Sequence, residues 1–220
     1  PEEAMAVIPR IPSLYDEPFS DSSQIPTLLV SELARSRVTV SLSGDGGDEL
    51  FYGYGRYFKG DRIWNKVNSL PLPLRKALSS LLASLPPQAL EKLMNLLPDK
   101  VRINHLADRM PSLLDLLVSR DGLALYRDLV SHTKQPNQLV LGANEPASLL
   151  SQPERMPALP SLRERMMYLD MMTYLPDDIL TKVDRASMAV GLEVRVPLLD
   201  HRVAEFAWKV PTQYKHRDGG

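Results

Sequence analysis

The sequence predicts an α/β protein that is predominantly helical, and three observations carry that expectation. Val38, Val40 and Leu42 alternate with Thr39 and Ser41, a short β-branched strand signal. Leu192-Glu193-Val194-Arg195-Val196 alternates again with period two, so Glu193 and Arg195 share one face opposite Leu192, Val194 and Val196. Between these two stretches the chain is leucine-rich, with apolar residues at helical spacing and frequent proline.

Composition narrows the class. At 220 residues, the chain is long enough for one large domain or two small ones with a real core. Its 44% apolar and 24% charged residues are ordinary for a globular protein. The absence of cysteine excludes a disulfide framework, a zinc–thiolate site and a cysteine nucleophile, and it fits a reducing compartment. A formal net charge of −1 gives no general attraction to nucleic acid or acidic lipid. No apolar run approaches the roughly 20 residues of a membrane span, and no signal-peptide pattern is present. The expectation is a cytoplasmic protein without nucleic-acid or membrane partners. Running from Pro1 to Gly219-Gly220, the sequence reads as an excised piece.

In chain order, Pro1 to Pro12 reads as a frayed helix ending in a turn, followed by an irregular acidic and hydroxyl-rich segment from Leu14 to Ser23. That segment reads as a capped entry to a helix over Gln24 to Arg35, with Ile25, Leu28, Leu29 and Leu33 at helical spacing and Pro26 tolerated in the first turn. After the strand, Ser43-Gly44-Asp45-Gly46-Gly47-Asp48-Glu49 packs three glycines and three carboxylates into seven positions. The aromatics Phe51, Tyr52, Tyr54 and Tyr57 then interleave with Gly53 and Gly55. A base-stacking platform is one reading, but the carboxylates just upstream would repel a phosphate backbone. A glycine-broken turn packed by tyrosines is preferred.

From Asp61 to Leu150, prolines 71, 73, 86, 87, 98, 111, 136 and 146 predict several short helices, because proline is disfavoured in a helix interior. His105 and His132 are isolated from any second ligand and read as structural or surface residues. Ser161-Leu162-Arg163-Glu164 has capping-box spacing, followed by Leu162, Met166, Leu169 and Thr173 on one face. Met166, Met167, Met171 and Met172 read as adaptable core packing. Pro176, with Asp177 and Asp178 in the first turn, opens a further helix running to about Val190 and stopping at Gly191. Its apolar positions are Ile179, Leu180, Val183 and Met188, and Lys182, Asp184 and Arg185 make a charged side read as solvated. For Glu193 and Arg195, a buried structural pair is one reading and a site-ordering role the other. Asp200 is a fitting N-cap for a last helix carrying Val203, Phe206 and Trp208.

The glycine loop is the leading site candidate, since ligands of open α/β sheets bind beyond the carboxyl ends of strands. It lacks the Lys-Ser/Thr of a Walker A loop, the third glycine of a dinucleotide fingerprint and the alternating ligands of an EF-hand. Two readings remain. Magnesium often takes one or two carboxylates plus a substrate's phosphates, so the loop suits a metal-bridged nucleotide site. An Asp/Gly turn is also a common inert loop.

Ser41-Leu42-Ser43-Gly44-Asp45-Gly46-Gly47-Asp48-Glu49-Leu50-Phe51 resembles the signature of the asparagine synthetase family, whose synthetase domain is shared with β-lactam synthetases. Tyr174 to Ala189, running on through Gly191 to Asp200, resembles a second motif of that family, and Asp16-Glu17-Pro18 with Ser22-Ser23 a weaker third. The resemblance implies part of an adenine-nucleotide-α-hydrolase-like (PP-loop ATP pyrophosphatase) synthetase domain, with residues 1–220 as a single-domain fragment. It implies that ATP and Mg2+ activate an aspartate-type carboxylate as an acyl-adenylate, which ammonia from glutamine converts to the amide, releasing AMP and pyrophosphate. By the same resemblance Asp48 is a magnesium ligand, Asp45 lies beside the acyl-adenylate, and Ser43, Gly44, Gly46 and Gly47 line the nucleotide pocket. Glu193 and Arg195 would order the site. Many asparagine-forming members carry Glu where Asp45 stands, which leaves open a related ligase with another carboxylate acceptor. A non-catalytic interaction module on the same scaffold is the further alternative. The resemblance also implies an N-terminal glutaminase domain in the same polypeptide and allows a homodimer. The Ser-Gly-Gly-x-Asp-Ser pyrophosphate loop, the glutaminase cysteine and the lysine loop have no match here. The 220 residues alone are therefore expected to be inactive.

Overall fold

The computed structural model describes residues 2–86, 106–131, 133 and 136–215. His105 and His132 lie outside the described residues. The expected class holds: helices dominate, and the described strands form one small parallel sheet. Two compact units emerge, one of residues 1–54 with 167–220 and the other of residues 55–166. No helix among the described residues is long and apolar enough to cross a membrane.

In the first unit, strand β1 (Val40–Leu42) pairs in parallel with β2 (Glu193–Arg195), Val40 opposite Glu193 and Leu42 opposite Arg195. Backbone bonds extend the ladder, Glu193 N–H donating to the Thr39 carbonyl and Ser43 N–H to the Arg195 carbonyl. This register sets Val40 and Leu42 on the same face as Glu193 and Arg195, and that face is exposed, Leu42 at 71%. Leu192, on the opposite face, is buried.

Helix Gln24–Arg35 forms with the expected bounds and packs against helices Thr181–Met188 and Glu2–Val7. Val7, Leu28 and Ala186 make the centre of that contact, with Ile11, Leu14, Ile25, Leu29 and Val190 around it. The N-terminal helix is less frayed than expected, since a 3-10 turn and a further turn carry it on to Leu14. The expected capped entry at Ser23 differs. Ser23 makes no side-chain cap, because its hydroxyl is engaged by Asp21 and Lys182.

The segment Leu175–Leu180 winds as a π-helix before the α-helix Thr181–Met188. Pro176 supplies no N–H there, and Thr181 Oγ1 reaches back to its carbonyl at 2.9 Å. The chain leaves the α-helix through Gly191 at φ +68°, the expected stop. The buried side of the helix is corrected, however: Lys182, Ala186 and Ser187 face inward, and Met188 is 61% exposed. Asp200 caps His201–Lys209 as expected, its Oδ1 accepting from Arg202 N–H at 2.9 Å.

In the second unit, Gly55–Asn68 packs on Gly122–Val130, and Leu72–Ser84 packs on Leu106–Val118. The expectation of short helices holds among the described residues. Pro111 corrects the detail, for it sits inside Leu106–Val118. Packing against the neighbouring helix sustains that helix despite the forgone backbone bond. Buried Tyr57 and Tyr126 stand 6.2 Å apart, ring to ring, and Arg56 Nε donates to the Tyr126 hydroxyl at 3.1 Å. The capping box forms as read, with Glu164 N–H donating to Ser161 Oγ and Ser161 N–H to Glu164 Oε2. In helix Leu162–Met172, which it opens, Met166 and Met167 are buried but Met172 is exposed.

Candidate functional site

The glycine loop leaves the carboxyl end of β1 and turns directly into the short helix Gly47–Phe51. Gly46 makes this turn with φ +81°, and a Cβ there would lie 2.3 Å from Leu199 Cδ2. The positive φ favours glycine, and the missing Cβ lets Leu199 close on the loop. Leu199 belongs to the turn Pro197–Leu199 just beyond β2, so the ends of the two parallel strands shape the loop together. The short helix ends at Tyr52, which is buried and held at φ +65°. Gly53 follows, where a Cβ would sit 1.8 Å from Asp48 Oδ1. The close approach at Gly53 leaves Asp48 space to lie along the turn.

A cavity of about 360 Å³ opens over this loop, lined by residues 44–49 with Tyr54, Tyr174 and Ile179. Of the residues singled out from the sequence, Gly44, Asp45, Gly46, Gly47 and Asp48 line it. Ser43 stands behind, its Oγ donating to Asp45 Oδ2 at 2.6 Å and fixing that carboxylate. Glu193 and Arg195 do not line the cavity. They pair with each other at 2.7 Å on the exposed sheet face, which corrects the reading of a buried pair. The tyrosine-packed turn is present, with Tyr52 and Tyr57 buried.

In the sequence Glu49 stands out only as part of the acidic loop, and the structure gives it a distinct place. It is 1% exposed yet lines the cavity, and Tyr54 donates a hydrogen bond to its Oε1 at 2.8 Å. Burial pushes its carboxyl above the usual range, against the pull of the Tyr54 hydroxyl, and the charges of Asp170 and Asp48 add to the rise. Tyr174 meets Tyr54 edge-on, ring centroids 5.9 Å apart.

A buried network centres on Lys182, whose side of the helix the sequence reads as solvated. Lys182 Nζ donates to Asp21 Oδ2 at 2.6 Å and to Ser23 Oγ at 2.7 Å, and its side chain is 10% exposed. Asp21 Oδ1 also accepts from the Ser23 N–H at 2.8 Å and from its hydroxyl at 2.7 Å. Asp21 is held below the usual carboxylate range because its bonds to Lys182 and Ser23 outweigh the cost of burial. Asp178 is pushed up, by burial first and then by the charge of Asp21. A sequence signal for this network did exist: Tyr174, Asp178 and Lys182 recur every fourth residue, one stripe of a helix.

Among the described residues no cation lines the cavity, and its charged lining groups are Asp45, Asp48 and Glu49. Among the described residues no group of three or more His, Cys, Asp or Glu could hold a metal alone. The donor set nevertheless suits magnesium in its usual mode, one or two carboxylates with a substrate's oxygens completing the shell. Asp48, exposed at the cavity wall, is the residue placed for it.

The asparagine synthase family model matches residues 1–220. Asparagine synthetase [glutamine-hydrolyzing] 1 of Bacillus subtilis (strain 168) is 30% identical over 224 residues, covering 100% of this chain and 32% of that protein. A putative asparagine synthetase [glutamine-hydrolyzing] of Mycobacterium tuberculosis (strain ATCC 25618 / H37Rv) is 30% identical over 227 residues, 97% of this chain and 30% of its own. A second putative one, from Methanocaldococcus jannaschii, is 55% identical over 62 residues, 28% of this chain and 12% of its own. The chain thus spans about a third of the length of the first two relatives. No solved structure matches it.

Proposed function

The chain belongs to the asparagine synthase family, and from that membership we propose that residues 1–220 are the central part of a PP-loop-type synthetase domain in an ATP-dependent amide ligase. The substrates on this reading are ATP, an aspartate-type acid and ammonia drawn from glutamine by a glutaminase domain of the same polypeptide. The observation that carries it is the cavity walled by Asp45, Asp48 and Glu49, with no cation lining it among the described residues, at the carboxyl end of a parallel strand. A polyphosphate could not enter such a cavity unaccompanied, because like charges at short range repel strongly where water is scarce. Magnesium, when bound, neutralises charge on the departing pyrophosphate.

The chain's own groups have distinct tasks in this reading. Asp48 holds the cation. The backbone of Gly44 leaves room for the nucleotide, since a Cβ there would meet open space, while Gly46 and Gly47 let the loop close against Leu199 and Leu198. Asp45, steadied by Ser43, accepts a proton from the attacking ammonia. Glu193 and Arg195 belong to the strand whose backbone anchors Ser43, so their ordering role runs through the ladder.

The test is Asp48→Asn in the full-length protein. Asn keeps the shape but not the charge, so amide synthesis falls by about a hundredfold, the scale of a lost electrostatic contributor. Glutamine hydrolysis persists, and added magnesium restores part of the synthesis. Synthesis near wild type at low magnesium would reduce Asp48 to a turn residue. Running the wild type against a panel of carboxylic acids identifies the acceptor.

A further inference from the structure

Glu49 holds a place in the cavity that its protein neighbours do not account for. It is 1% exposed, yet it lines the cavity. Buried carboxylates are normally paired with a cation, because an uncompensated charge away from water is costly. Among the described residues no ion pair reaches Glu49, and its side-chain hydrogen-bond partner is Tyr54, whose hydroxyl donates to Oε1 at 2.8 Å. That hydroxyl fixes the carboxyl without neutralising it. The second oxygen has no side-chain partner among the described residues.

Magnesium does not supply the missing charge. Asp48 and Glu49 are successive residues of the short helix Gly47–Phe51, and successive side chains of a helix do not face each other. An ion seated on Asp48 is therefore directed away from Glu49. The reactants of the proposed ligase narrow the choice further. ATP and the carboxylate to be activated are anionic, and ammonia attacks as the neutral base. A positive group must come with the acid. An α-amino acid brings one, its ammonium. A fixed carboxylate with an oxygen to spare makes a strong, charge-assisted bond to such a group. Tyr54 and Tyr174, which line the same space, give it an aromatic wall, and aromatic rings attract ammonium ions.

We propose that Glu49 is a specificity residue for the acceptor acid: its carboxylate takes the ammonium of an α-amino acid, and acids without one are rejected. This role rests on the cavity being the site of carboxylate activation. Rejection follows because an acid lacking the ammonium would leave Glu49 buried and unpaired beside it.

The experiment uses the full-length protein and ATP–pyrophosphate exchange, a half-reaction that needs the acid but no ammonia. Amino acids are each compared with the desamino analogue, aspartate with succinate first. In the wild type, kcat/KM for the amino acid exceeds that for its analogue by about tenfold or more, the scale of a bond to a charged group. Glu49→Gln, nearly the same shape without the charge, shrinks that preference by about tenfold or more. A wild type that uses both acids equally, or prefers the analogue, overturns the proposal whether or not the variant folds. An equal loss with both acids in Glu49→Gln overturns it as well. So does recovery of the variant by added magnesium, which would make Glu49 a metal ligand. Unchanged exchange with a loss confined to amide synthesis would assign Glu49 to the attacking ammonia, and that too overturns it. Silence with every acid is a failure of the functional reading, and calorimetric titration of aspartate and succinate then decides the role of Glu49. Binding of aspartate alone, lost in Glu49→Gln, upholds it. Binding of both acids alike, or of neither, overturns it.

Discussion

Two ion pairs in the first unit have nearly the same length and opposite surroundings. Lys182 and Asp21 meet at 2.6 Å with side chains 10% and 19% exposed, while Arg195 and Glu193 meet at 2.7 Å with side chains 64% and 56% exposed. The first joins the N-terminal segment to the helix behind the cavity. The second closes on itself across two residues of one strand. Geometry alone would rank them as equals. Solvent decides otherwise: water screens the exposed pair and competes for its bonds, whereas a buried partner left alone has nothing to replace the other.

The sharpest way to break this contrast is Lys182→Met. Removing one member of a buried, bonded pair should cost about 3 kcal/mol in chemical denaturation, and a loss below ~1 kcal/mol would erase the distinction. A smaller effect separates the two carboxyls beside Lys182. Asp21 has a lowered native pKa, so its contribution is present above the ordinary carboxylate range and is lost as pH falls through that lowered value. Asp178 has a raised one, so its contribution is complete below the ordinary range and is lost as pH rises through the raised value. Asp178→Asn keeps the shape of the side chain but does not ionise. Its stability relative to wild type should therefore climb from about pH 4 toward neutrality. A difference that is flat with pH would remove Asp178 from the network. Least of all, Arg195→Ala should move folding stability by no more than about 0.5 kcal/mol, and a loss of several times that would show the exposed pair to be structural after all.

The same contrast explains what could be read from the sequence. Helix Gln24–Arg35, the capping box at Ser161 and the glycine loop were legible because each is written in neighbouring residues. Lys182 was not, because a charge in a helical pattern is assigned to water unless its partner is known, and Asp21 lies far away in sequence. Met188 and Val40 failed in the opposite sense, apolar residues placed on exposed faces by packing and strand register. The cavity was half legible. Its floor is one continuous motif, but its wall is made by Tyr54 and Tyr174, and the hydrogen bond of Tyr54 to Glu49 appears only once the chain has turned at Tyr52. Pro111 shows propensity overruled by a neighbouring helix.

The first unit is built from two separate stretches of chain, with the whole of residues 55–166 made between them. A ribosome therefore delivers Asp21, β1 and the glycine loop long before their counterparts exist. Until Lys182 and β2 emerge, Asp21 lacks its cation and β1 lacks its parallel partner, so the exposed edge and the acidic loop must wait in an unfinished state. Closing such a distant contact is slow compared with forming helices from neighbouring residues. The nascent protein thus passes through a period when its floor and Tyr54 are present without Tyr174, and anything that lengthens translation of 55–166 lengthens that exposure.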